Sequence, residues 1–146
     1  MPNLAALRQG RTGSVVAKAV KRAGRSLRNA DALAAGPERD EHLHEMRKAA
    51  KRLRYATETI RPVRGRQAKR LVKEVKAVQE LLGEHQDSAV ARGLLRELGA
   101  AAPAEGGNGF AYGWLMRDEQ ARAEWVEAQL DSAWATLRRR ARALTG

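Results

Sequence analysis

The sequence predicts an all-α fold, an antiparallel four-helix bundle, and three observations carry that expectation. Apolar residues recur at three- and four-residue spacing through most of the 146 residues, the period of a helix with one buried face. The composition is rich in Ala, Leu, Arg, Lys and Glu with only 4% aromatic residues, whereas strands favour aromatic and β-branched side chains. The Gly and Pro punctuation is concentrated at Gly36-Pro37, at Arg61-Pro62 with Gly65, and in AAPAEGGNG at 101–109, which cuts the chain into four long segments. Short links between long helices make sequential neighbours antiparallel, and this length suffices for one domain with a core of its own.

Each segment is then justified in turn. Residues 1–13 read as a flexible leader, with Thr12 or Ser14 able to cap the first helix. That helix spans about 14–34, with Val16, Ala19, Val20, Ala23, Leu27 and Ala30 as its apolar face and Lys18, Lys21, Arg22, Arg25 and Arg28 opposite. Pro37 opens the second helix, which runs to about Ile60. A third starts near Arg66; Ala68, Leu71, Val72, Val75, Val78 and Leu82 face inward, with a bend or interruption expected at Gly83, and helix resumes to about Ala100. The last helix spans about 110–144 and offers two apolar seams. One holds Trp114, Ala121, Trp125 and Ala128; the other holds Val126, Leu130, Ala133, Leu137, Ala141 and Leu144. The tryptophans are expected in the core or a helix seam. The helical domain is thus placed at 14–145.

The second helix divides most sharply. Wound at about 100° per residue, His42 to Tyr55 (HLHEMRKAAKRLRY) puts Leu43, Met46, Ala49, Ala50 and Leu53 on one side, with Ala56 and Ile60 continuing that side. His44, Arg47, Lys48, Lys51, Arg54 and Tyr55 fall on the other side, with Arg52 at its edge. Like charges at this spacing repel by a few tenths of a kcal/mol per pair in an isolated helix, so a bound polyanion would relieve the stripe. The formal net charge of +11 is unevenly distributed. Arg8 to Arg28 holds seven Lys/Arg and no acid, and His42 to Lys76 holds twelve against three acids. The remaining residues are net negative, so positive potential is concentrated on the first three helices.

Other classes of function lack their residues. There is no cysteine, no G-x-S-x-G and no Gly-rich phosphate loop ending in Lys-Ser/Thr, so neither a catalytic residue nor a cofactor is expected. His42 and His44 are two residues apart, on different sides of a helix, and H-E-M-R-K lacks the second histidine of H-E-x-x-H; no metal site is expected. Glu84 and Asp87 are expected to pair with Arg or Lys. No run of 18 apolar residues and no signal-peptide core stand in the sequence, so a cytoplasmic protein without membrane contact is expected. The basic faces carry one aromatic, Tyr55, and almost no Asn or Gln, so they offer phosphate contacts rather than stacking or base-edge readout. Polyphosphate, the backbone of nucleic acid, and an acidic protein all fit that description.

HEMRKAAKRLRYA, residues 44–56, resembles the H-x-x-R-K-x-x-K-R-L-R-Y signature of the CHAD family, the conserved histidine α-helical domains. VKAVQELLGEHQDSAV, residues 75–90, is similar to that family's second segment, L-x-x-L-Q-x-x-L-G-x-x-Q-D. The resemblance covers roughly residues 12–145 and matches the second half of a two-bundle fold. It implies a module that binds inorganic polyphosphate, associated with polyphosphate granules. On the first motif, the binding residues would be His44, Arg47, Lys48, Lys51, Arg52, Arg54 and Tyr55. Lys69, Lys73 and Lys76 on the following helix join them; the basic face of the first helix, read from its charge pattern, adds Lys18, Arg22 and Arg25. Gln86 and Asp87, on the second motif, would have a structural or orienting role. A half-length match implies either a truncated or half-length member of the family, or two copies that pair to rebuild a two-bundle channel.

Overall fold

A computed structural model describes residues 4–145, with side chains undescribed at 4–9, Thr12, Val63 and Arg64. Helix α1 spans Leu4–Asp31, α2 spans Pro37–Ala101, a 3₁₀ turn spans Ala102–Glu105, and α3 spans Phe110–Thr145. No strand forms among the described residues.

The 65 residues of α2 are two antiparallel arms, 37–64 and 66–101, joined at Gly65. Gly65 has φ 27° and ψ −97°, outside any helix and in a region that side-chain-bearing residues rarely enter. Pro62, three residues earlier, removes a helical donor just before the break. In a straight helix residues 40 and 92 would be roughly 75 Å apart; here Arg92 Nη1 lies 2.9 Å from Asp40 Oδ2. The break falls where Arg61-Pro62 and Gly65 place it, and Gly83 sits inside unbroken helix. A glycine without a neighbouring proline costs a helix only about 1 kcal/mol, which packing absorbs.

The four helical rods (α1, the two arms and α3) pack as an antiparallel bundle around one core. The apolar faces read from the sequence for α1 and both arms are buried, with Val20 partly so. Many core positions are alanine (Ala19, Ala23, Ala30, Ala49, Ala50, Ala68), and small side chains let helix axes approach closely. Met46, Leu53, Leu71, Leu82, Leu130 and Leu137 supply the bulk; truncating one such residue to Ala typically costs about 2–5 kcal/mol.

Two expectations are corrected. The first helix starts at Leu4, so residues 4–13 are helical, Ser14 lies inside the helix, and residues 1–3 of the expected leader lie outside the described residues. LAALRQ is built of good helix formers, and Gly10 and Gly13 do not interrupt them. The helix also stops at Asp31, before Ala34. On α3 only the seam of Val126, Leu130, Leu137, Ala141 and Leu144 is buried, with Ala133 partly so. Trp114 and Trp125 are 65% and 59% exposed, and Ala121 and Ala128 are also exposed. Two seams at different angles cannot both face one core, and the near-heptad aliphatic seam wins. Trp134, in neither seam, is the buried tryptophan: it packs on α1 at Gly24, where an added Cβ would come within 3.3 Å of its ring.

The second arm and α3 extend past the α1–α2 link as a helical hairpin, closed where Gly109 abuts the Gly99 carbonyl. Gly106, at φ 85°, makes its turn, with the Gly106 and Gly107 N–H groups bonded back to Pro103 and Ala102 carbonyls. Val90, Leu94 and Leu98 on one helix, and Phe110, Trp114 and Leu115 on the other, are exposed there.

Candidate functional site

The cationic stripe of the first arm meets the second arm across an open groove of about 510 Å³. His44, Arg47, Lys48, Lys51 and Arg54 form one wall; Lys76, Gln79 and Glu80 form the other. The walls are set by the core. Met46, Ala50 and Leu53 on one arm and Val75, Val78 and Leu82 on the other point inward, which turns the residues between them toward the cleft. Lys76 and Glu80 also belong to a neighbouring concavity of about 650 Å³ on the second arm, with Arg61, Arg66, Lys69, Arg70 and Lys73. The two grooves are therefore continuous, and cations line them from His44 to the Gly65 turn. Among the described residues, Glu80 is the one acid in either lining.

Few of these cations are neutralised within the chain. Lys48 pairs with Glu45 at 2.5 Å and Arg54 with Glu58 at 3.1 Å, both one helical turn apart and solvent-exposed enough to be weak. Arg47, Lys51, Lys69, Lys73 and Lys76 have no carboxylate within 4.0 Å among the described residues. The Lys48 hydrogen bond holds the Glu45 carboxyl below its ordinary range, with His44 and Arg52 adding to that pull. Two groove-wall atoms, His44 Nδ1 and Gln79 Oε1, are shielded from solvent and lack a hydrogen-bond partner. Gln79 was passed over in reading the sequence by charge, although it is the glutamine of L-Q-x-x-L-G. Its position in that segment was the available clue.

Of the expected site residues, the grooves bring together His44, Arg47, Lys48, Lys51, Arg54, Lys69, Lys73 and Lys76. Lys18, Arg22, Arg25, Arg52 and Tyr55 are exposed and line neither groove. Arg52 and Tyr55 are one to three residues out of phase with the groove wall, and α1 lies on another side of the bundle.

Beyond the groove, the same two arms meet at a buried ionic network that the sequence reading missed. Arg92 donates through both terminal nitrogens to Asp40, at 2.9 and 3.2 Å, and through Nε to Ser88 Oγ. Ser88 in turn donates to the Glu119 carbonyl on α3. His85 Nε2 lies 3.2 Å from Glu127 Oε1 on α3, and Arg39 Nε donates to that same oxygen at 2.9 Å. Arg39 also donates to the Leu33 carbonyl past the end of α1. Burial pushes the Glu127 carboxyl upward, but the hydrogen bonds from His85 and Arg39 outweigh it and leave the pKa below the ordinary 4.5. His85 and Arg92 are 2% and 5% exposed. Of the second motif, the neighbours His85 and Ser88 make the inter-helix contacts, whereas Asp87 is exposed and neither Asp87 nor Glu84 forms an ion pair among the described residues.

Comparison with known proteins gives the same outline. The family model described as CHAD domain matches residues 2–96. Two proteins of Mycobacterium tuberculosis, from strains CDC 1551 / Oshkosh and ATCC 25618 / H37Rv, are each 38% identical over 118 residues. Both bear the name uncharacterized protein. The match covers 81% of this chain and 22% of each of theirs, so the chain spans about a fifth of the length of these relatives. No solved structure matches significantly.

Proposed function

The chain belongs to the CHAD domain family, and we propose that it binds inorganic polyphosphate along the groove between the two arms of α2. The family is a helical, binding-type one that binds polyphosphate in general. The observation that carries the reading to these residues is the continuous groove, in which, among the described residues, many cations face one acid and most have no carboxylate partner. The mechanism is electrostatic. Fixed cationic side chains replace the counterions condensed on the ligand's phosphates and release them to solution, so affinity falls steeply with salt. Arg47 and Arg54 grip oxygens through planar forks, while Lys51, Lys69, Lys73 and Lys76 act as point charges. His44 adds a ring N–H donor. Association with polyphosphate granules follows from such binding. No described helix is long and apolar enough to cross a membrane.

The test is a titration with long-chain polyphosphate at about 50 and about 200 mM salt, in competition with duplex DNA at equal phosphate concentration. Polyphosphate is expected to win, because the groove walls lack the aromatic platforms on which bases stack. Equal binding of both would make this a generic phosphate-backbone surface. A complex with an acidic protein that survives high salt would favour the docking reading instead. Lys51→Glu with Lys73→Glu is expected to abolish binding while helix content stays unchanged; unchanged binding would remove the groove from the site.

Pairing of two copies to rebuild a two-bundle channel remains part of this proposal. The exposed apolar residues of the hairpin tip, Leu94, Leu98, Phe110 and Trp114, support it as a surface for self-association. A monomer in sedimentation at working concentration would remove it.

A further inference from the structure

A second cationic groove lies on another side of the bundle, between α1 and α3, apart from everything assigned above. It encloses about 290 Å³, and its charged lining is Lys21 and Arg28 from α1 with Arg138 and Arg142 from α3. No acid lines it. No carboxylate lies within 4.0 Å of any of the four among the described residues. The sequence provides none nearby: α1 has no acid before Asp31, and none follows Asp131 on α3.

The groove is built rather than incidental. Gly24 and Ala17 on α1 leave its floor open, and Trp134, 6% exposed, forms a wall. The Trp134 ring and Arg28 Nη1 lie 3.3 and 3.4 Å from the position a Cβ on Gly24 would take, so the guanidinium is held over the glycine beside the ring. Arg138 and Arg142 are one helical turn apart and repel each other, and Lys21 and Arg28 stand two turns apart on the facing helix. Trp134 is buried and cannot stack a base, and no Asn or Gln lines the groove among the described residues, so what it offers is contact with phosphate oxygens.

We propose that the α1–α3 groove is a second, independent oligophosphate-binding site, so that one chain engages two phosphate strands and cross-bridges them. The proposal takes from the reading above only the chemistry of the ligand. Two sites on different sides of a rigid bundle make the protein divalent, and divalent binding to a multivalent chain links strands into a network.

The experiment is calorimetric titration at low salt with a short, monodisperse inorganic oligophosphate, which is too short to span both grooves. Two equivalents are expected for the wild-type chain. One is expected for R138E/R142E, one for K51E/K73E, and none for the combined variant. K21E/R28E, on the facing helix, should reproduce the loss of one equivalent, which guards against a folding defect peculiar to α3. Turbidity with long polyphosphate should fall to background in R138E/R142E, although that variant still binds. Two equivalents retained by R138E/R142E, or a single wild-type equivalent that disappears in K51E/K73E, would overturn the second site and leave the first. A single equivalent lost only in R138E/R142E would uphold this site and overturn the α2 groove, and no binding at all would overturn both.

Discussion

Next to the α1–α2 link, the two arms of α2 meet through Asp40, His85 and Arg92; one to four turns further along they meet across His44, Arg47, Lys51, Lys76 and Gln79. Both regions are densely charged and use the same pair of helices. In the first, the polar groups are buried or mostly so and each has a partner: Arg92 is bidentate on Asp40, and Arg39 and His85 share Glu127. In the second, the cations are mostly exposed and the acids few. Buried charge must be compensated within the chain, because stripping its water costs several kcal/mol per ion. Exposed cations can remain uncompensated at small cost, and are then free to exchange counterions for a ligand. The first region therefore fixes how the rods sit, and the second is open to bind.

That contrast makes unequal predictions, and the buried network should give the largest effect. Arg92→Ala leaves the mostly buried Asp40 without its guanidinium and is expected to cost up to about 3 kcal/mol, the low end for a broken buried pair, lowering Tm by roughly 10 °C. Affinity per folded molecule should be unchanged. Replacing both partners together, Arg92→Met with Asp40→Leu, should restore most of the loss; a double variant as unstable as the single would mean that packing rather than charge pairing holds this end.

The groove inverts the pattern. Lys51→Glu with Lys73→Glu is expected to remove the proposed binding but to shift stability by no more than about 0.5 kcal/mol, as exposed substitutions do. A large drop in Tm for that pair would erase the distinction between the regions. Within the groove, Glu80→Gln removes the only acid of the lining among the described residues and should tighten the proposed polyphosphate binding about twofold to fivefold, the scale of an exposed charge contact. Weaker binding in Glu80→Gln would show that Glu80 orients its neighbours rather than opposing the ligand.

The smallest effect is set by pH. Glu127 has a folded pKa below 4.5. Its contribution to stability is therefore fully present above the unfolded value and is lost as pH falls through the lower folded value. Denaturant unfolding at pH 7 and in the acid range should show a drop in stability at the acid end that Glu127→Gln reduces. An identical pH profile in that variant would exclude Glu127 as the group responsible.

The sequence by itself determined the rods. The inward faces of α1 and of both arms, the turn at Gly65 and the loop at 101–109 were legible because helix period, proline and glycine act over a few residues. The groove's first wall was legible for the same reason: His44 to Arg54 shares one helix face, and the second motif marked the helix that faces it. Which seam of α3 enters the core was decided only in three dimensions, since both seams satisfy the helical period and one bundle can bury one of them. The same holds for pairings that span long stretches of chain, such as Asp40 with Arg92, 52 residues apart. It holds also for the meeting of Lys21 and Arg28 with Arg138 and Arg142. Helix periodicity gives each rod its faces, but the rotation and neighbours of each rod come from packing of the whole core, and those choices turn separate charged stripes into grooves.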